Sequence, residues 1–192
     1  MRIAFCVEGS ADRAILHGFR DRWCPAAELV EGRFRGQLPR SQIPKECKLL
    51  ASKGADLIVF LRDANLEHWR DVLRADEAKC PPEFRQLVIF GVCDRNAECW
   101  LAAAPDHLAN RLGRPKSELL SEDPSPYVKA GFGMLGFDKE EKEPEVARYV
   151  ATAPLSSWLG NSSFEHFYEQ LWLKSKQLGC PLENLREAAR PV

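Results

Sequence analysis

Ile3-Ala4-Phe5-Cys6-Val7 is an unbroken apolar run closed by Glu8-Gly9. Leu57-Ile58-Val59-Phe60-Leu61 is a second, closed by Arg62-Asp63, and Leu87-Val88-Ile89-Phe90 a third, continued by Gly91-Val92. Short runs without polar alternation fit strands buried on both faces of a parallel sheet. They predict strands over 2–7, 57–62 and 87–92, with a shorter one over 28–31. Between them the apolar spacing becomes helical. Ile15, Leu16, Phe19 and Trp23 share one face of a helix that Ser10 would cap and Pro25 would stop. Ser41 opens a second helix, with Pro44 in its first turn and Gly54 past its end. Asn65 stands as cap of a third, striped by Trp69, Val72 and Leu73, and a fourth covers 97–104. Strand and helix alternate through the first hundred residues, which predicts an α/β fold: a Rossmann-like, mostly parallel sheet flanked by helices. After Pro105 no strand is evident, and helices are expected near 106–112, 140–152, 164–178 and 182–189. The expected organisation is a core over 1–105 and a helical C-terminal extension over 106–192 packed on it, one domain overall.

Composition narrows the class. The 192 residues are 45% hydrophobic and 29% charged, enough for both a core and a solvated surface. No apolar run nears the ~20 residues that span a bilayer. The first apolar stretch lacks a basic flank and ends at Glu8, so a signal peptide is not expected and a cytoplasmic location is. The seven cysteines include no Cys-x-x-Cys pair, and their number is odd, so reduced thiols are expected. A net charge of −1 excludes a polycation. Yet Arg33, Arg35, Arg40, Lys45, Lys48 and Lys53 form a locally basic stretch interrupted only by Glu46, and acids crowd 138–145. A local basic stretch can hold a phosphate backbone whatever the total charge.

Candidate chemistry concentrates in carboxylates. If the first and third strands lie side by side, Glu8 and Asp63 leave the same sheet edge, where open α/β sheets bind ligands. Two carboxylates meeting there suit a hard divalent cation. Glu98, after the strand 87–92, lies on a different side of its helix from Trp100 and Leu101, placing it to point toward the same edge. Other motifs are weaker. Gly131–Gly136 matches Gly-x-Gly-x-x-Gly but follows Pro124, Pro126 and polar residues rather than a strand, so it reads as a loop. No phosphate-binding Gly-x-x-x-x-Gly-Lys-Ser/Thr occurs. His17, His68, His107 and His166 form no metal-ligand array, and no serine stands in a Gly-x-Ser-x-Gly elbow.

Val7-Glu8-Gly9-Ser10-Ala11-Asp12 and Arg62-Asp63-Ala64-Asn65 together resemble the TOPRIM signature, a Glu after the first strand and an Asp-x-Asp after a later one. TOPRIM domains occur in topoisomerases, primases and OLD-type nucleases. The chain is most similar to small stand-alone TOPRIM-like proteins of the DUF4276 kind. Glu98-Cys99-Trp100-Leu101-Ala102 resembles their Glu-Ala-Trp-Leu segment, and Ser163-Phe164-Glu165-His166-Phe167 their Ser-Phe-x-x-Phe. The resemblance runs from about residue 2 to 172. It implies Mg²⁺- or Mn²⁺-dependent cleavage of nucleic-acid phosphodiesters, with DNA favoured over RNA, and no membrane partner. Glu8 would be a ligand or general base, Asp63 the central ligand, and Glu98 would complete the shell. Asp12 would be an outer ligand, and Arg62, Arg95, Lys45 and Lys48 would hold the nucleic-acid backbone. It further implies an ATPase partner and a place in bacterial anti-phage defence. One residue departs from the pattern. Asn65 replaces the second acid, which removes a negative charge and keeps a non-catalytic module, binding a partner protein or nucleic acid, as the alternative. A phospho-receiver domain would also place Asp63 at a strand end, but it needs a pair of acids where Glu8 stands alone.

Overall fold

Four strands pair in parallel in the order β2-β1-β3-β4: β1 Arg2–Val7, β2 Glu28–Arg35, β3 Leu57–Asp63 and β4 Val88–Cys93. The structure is a computed structural model and describes residues 1–36, 38–135, 139–180 and 182–185. Helices link the strands: α1 Ser10–Trp23, α2 Ile43–Ser52, α3 Trp69–Glu77 and then α4 Ala97–Leu101 after β4. The remaining helices are α5 Pro105–Leu112, α6 Lys116–Leu119, α7 Ser125–Gly131, α8 Glu143–Thr152, α9 Leu155–Trp158 and α10 Ser162–Gln177. This is the α/β arrangement that the apolar runs predict, with every pairing parallel.

The strands sort their side chains by the two-residue period of extended backbone. Phe5, Val7, Val59, Leu61 and Ile89 enter a core with α1, α4, α8 and α10. Ala4, Cys6, Ile58, Phe60, Phe90 and Val92 enter the opposite core with α2 and α3. Both faces being dry explains why the strands read as continuous apolar runs. The first core is dominated by aromatics, with Trp100, Trp158, Phe164 and Phe167 fully buried and in mutual ring contact.

Several boundaries differ from expectation. β2 reaches Arg35 rather than ending at residue 31, passing through Gly32, whose lack of a Cβ admits the Cys6 thiol. Gly9, not Ser10, caps α1; Ser10 is its first helical residue, and the Asp12 carboxylate accepts the Gly9 N–H at 2.8 Å. Asn65 does not cap α3, which starts at Trp69 after His68. It takes a left-handed backbone (φ 54°) and donates its N–H to the Arg95 carbonyl, joining the β3 and β4 loops. The region around 123–131 holds helix α7, and Gly131 ends that helix, so no strand precedes the glycine motif. Gly136, Asp138 and the part of the expected helix 182–189 from residue 186 onward lie outside the described residues.

The thiols need one correction. Cys24, just past α1, is bonded to Cys180, just past α10, with Cα atoms 5.9 Å apart. Among the described residues, no helix is long and apolar enough to cross a membrane.

Gly18 sets how closely α1 and α8 approach. A Cβ there would stand 2.5 Å from Val150 Cβ and 2.6 Å from the Ala147 carbonyl oxygen. The backbone oxygen cannot rotate away, so Gly18→Ala forces the helices apart. The expected cost is about 1–3 kcal/mol. It should appear as a lower urea midpoint at unchanged slope.

Candidate metal centre

The strand order reverses between β1 and β3. The chain goes out from β1 to β2, then returns to the other side of β1 as β3. Such a switch point leaves a crevice at the carboxyl ends of the strands. Val7 pairs with Leu61, so Glu8 and Asp63 both emerge there.

Side-chain alternation then separates the polar groups. Asp63 follows Val59 and Leu61 onto the α1 face, and its register partner on β4 is Cys93. Asp12 comes to the same place from the first turn of α1. One ligand atom from each of Asp12, Asp63 and Cys93 lies within 4.8 Å of the other two. Asp12 and Cys93 are buried, and Asp63 faces partly outward. Asp12 Oδ2 accepts the Gly9 N–H, while Asp12 Oδ1 is buried and has no hydrogen-bond partner among the described residues. Asp63 Oδ1 accepts the Ala97 N–H at 2.9 Å.

Crowding of like charges marks the site. Burial, with Glu98 and Glu8 adding repulsion, pushes the Asp63 carboxyl up to about 7. Burial and the Asp63 charge push Asp12 well above the carboxylate range. Burial, reinforced by Asp12 and Asp63, raises the Cys93 thiol. Groups that hold protons this strongly are groups a cation would relieve.

The other expected residues divide between this face, the opposite face and the cleft. Glu98, on α4, is buried, with Oε1 3.4 Å from Lys129 Nζ of α7. Glu8 turns toward the opposite face, where its Oε1 lies 3.5 Å from Arg62 Nε. Burial raises the Glu8 carboxyl, and Arg62 counters part of that rise. Asn65 is exposed and lines a cleft of about 340 Å³ with Asp63, Arg40, Arg62 and Glu67.

Among the basic residues expected at the nucleic acid, Arg62 is committed inside the protein. It is 8% exposed, pairs with Asp76 at 3.2 Å and donates to the Leu38 carbonyl. Alternation explains this: one residue before Asp63, it must point to the α3 face. Arg95 sits at φ 62° and pairs with Glu122. Lys45 and Lys48 are exposed on α2. Arg62→Met would strand Asp76 with Arg40 alone, at 2.8 Å, and is expected to cost about 3 kcal/mol in a denaturation measurement.

Sequence reasoning missed Cys93, Lys129 and Asp76. Cys93 had a usable signal, since it closes the 87–92 run as Asp63 closes 57–62. Ser163 serves the site from a distance. Its Oγ accepts the Asp94 N–H at 3.0 Å and the Trp100 indole N–H at 2.7 Å, which fixes the turn between β4 and α4.

No family model matches the chain, and no curated protein matches it. Among solved structures, it is similar to the C-terminal region of the Burkholderia pseudomallei OLD protein, with a TM-score of 0.38 and 16% identity, covering 78% of this chain and 86% of that one.

Proposed function

We propose that this chain is a divalent-metal-dependent phosphodiester hydrolase acting on nucleic acid, either a nuclease by itself or the nuclease subunit of an assembly. The observation that carries the reading is the convergence of Asp12, Asp63 and Cys93 at the β1/β3 switch point, with Asp12 Oδ1 buried and unpartnered. The TOPRIM resemblance of the segments around Glu8, Asp63 and Glu98 points the same way.

The donor set fits a divalent cation, with Asp12 and Asp63 nearest, Glu98 close enough to repel the Asp63 charge, Glu8 across the sheet edge toward Arg62 and the Asn65 carboxamide in the cleft. A cation bound there would neutralise charge on a phosphate and make an attacking water more acidic. The chain's own groups do the rest. Glu8, with its raised affinity for a proton, would accept one at its carboxylate. Lys129, half-exposed beside Glu98, would offset negative charge on the phosphate. Arg40, on the cleft rim, would help hold the nucleic-acid backbone. DNA is the proposed substrate over RNA. An ATPase partner and a defence role belong to the proposal through the resemblance alone.

One observation favours a second reading. Asn65 stands where the signature has an acid, and a neutral amide weakens cation binding. In that case the fold binds nucleic acid or a partner without cutting. The test is cleavage of DNA and RNA with Mg²⁺ or Mn²⁺, with Glu8→Gln as control. Metal-dependent cleavage lost in Glu8→Gln supports the hydrolase. Binding without cleavage supports the second reading, and cleavage unchanged by Glu8→Gln removes Glu8 from the mechanism.

A further inference from the structure

We propose that this centre has a sulfur ligand: Cys93, together with Asp12 and Asp63, holds one thiophilic divalent cation of the Zn²⁺, Co²⁺ or Cd²⁺ class. The inference rests on reading the cluster as a metal centre, and it goes beyond the all-oxygen Mg²⁺ site that the carboxylates alone suggest.

Three features carry it. Register places Cys93 directly beside Asp63 on the neighbouring strand, on the same face of the sheet, so backbone pairing fixes their approach. The three ligand atoms lie within 4.8 Å of one another. Tetrahedral coordination, with metal–sulfur distances of about 2.3 Å and metal–oxygen of about 2.1 Å, needs donors about 3.6 Å apart. Side-chain rotation of roughly 1 Å closes the difference. Finally, Asp12 is 2% exposed, and its Oδ1 has no hydrogen-bond partner among the described residues. A buried carboxylate oxygen without a donor is costly unless something positive reaches it.

The donor chemistry selects the cation. Mg²⁺ takes oxygen and holds its waters firmly, so it gains nothing from a thiol. Thiolate mixed with carboxylate favours zinc-like ions. On binding, the Cys93 S–H bond breaks, its proton leaves to solvent and a sulfur–metal bond forms, with no change in oxidation state. Three protein donors leave a coordination position open, as in catalytic rather than structural zinc sites.

The experiment is Co²⁺ titration of the metal-free full-length protein, followed by absorbance. One equivalent should bring up a sulfur-to-cobalt charge-transfer band in the near ultraviolet. Cys93→Ser should lose the band and weaken Co²⁺ binding at least 10–100-fold, the range that loss of even an outer-shell partner costs. Because that variant could unfold, ¹¹³Cd NMR of the wild-type protein reads sulfur ligation directly, and a shift in the oxygen-only range would overturn the proposal. A band that persists in folded Cys93→Ser would overturn it too. If Mn²⁺ binds by EPR while Co²⁺ gives no sulfur band, the thiol is not a ligand and the metal-centre reading stands. If neither ion binds, both fall together.

Discussion

Asp63→Asn is expected to remove metal-dependent cleavage and to leave a folded, more stable metal-free protein. The carboxylate is the outward-facing member of the trio and the one closest to the cleft. Losing its charge weakens the cation's hold and the compensation of phosphate charge together. That compensation is worth several kcal/mol; at about 4 kcal/mol the rate falls by roughly 10³-fold. The local backbone should not suffer. An asparagine carbonyl can accept the Ala97 N–H as Asp63 Oδ1 does. The variant therefore loses the repulsion that Glu98, Glu8 and Asp12 exert on this charge. Cleavage rate at saturating Mn²⁺ and the melting temperature without metal read the two halves. Activity within about tenfold of wild type would mean that the reaction does not use this centre.

The fold was legible where burial is uniform. β1, β3 and β4 are dry on both faces, so their sequences are continuous apolar runs, and the acids that end them are conspicuous. Glu8 and Asp63 stand out as candidates that way, and Glu98 by its place on the following helix, away from the Trp100 and Leu101 side. What was hidden depends on partners that only the assembled sheet supplies. Cys93 follows the 87–92 run as Asp63 follows 57–62, but only the β3–β4 register shows that the two meet. Arg62 reads as a free cation beside the site until alternation turns it toward Asp76. The Cys24–Cys180 pair spans 156 residues, and no spacing rule reaches that far. Short helices such as α6 and α9 are single turns, too brief to show a period. Asn65 was misplaced as a helix cap because the same residue type also favours the left-handed backbone it adopts in the loop.

Stability without metal is expected to fall as pH rises from about 4 to about 7. In the unfolded chain Asp63 ionises at its ordinary value of 3.8, while in the folded protein it holds its proton up to about 7. Between those values the folded state binds more protons than the unfolded, so the slope of stability against pH is negative. The full contribution is present below pH 3.8 and is lost by about pH 7, and Asp12 acts in the same direction. About three pKa units correspond to roughly 4 kcal/mol as an upper bound, because one carboxyl can keep the proton while its neighbour ionises. A divalent cation does at neutral pH what the protons do in acid. At 100 times its Kd it should restore about 2.7 kcal/mol, and below about pH 5, where protons hold the site, it should do little. The readout is the wild-type melting temperature minus that of Asp63→Asn across pH, with and without Mn²⁺, a difference that cancels titrations elsewhere. It should grow more negative from pH 4 to pH 8 without metal and turn upward with it. A flat difference in both series would mean that Asp63 is not under the repulsion that makes this cluster a place for a cation.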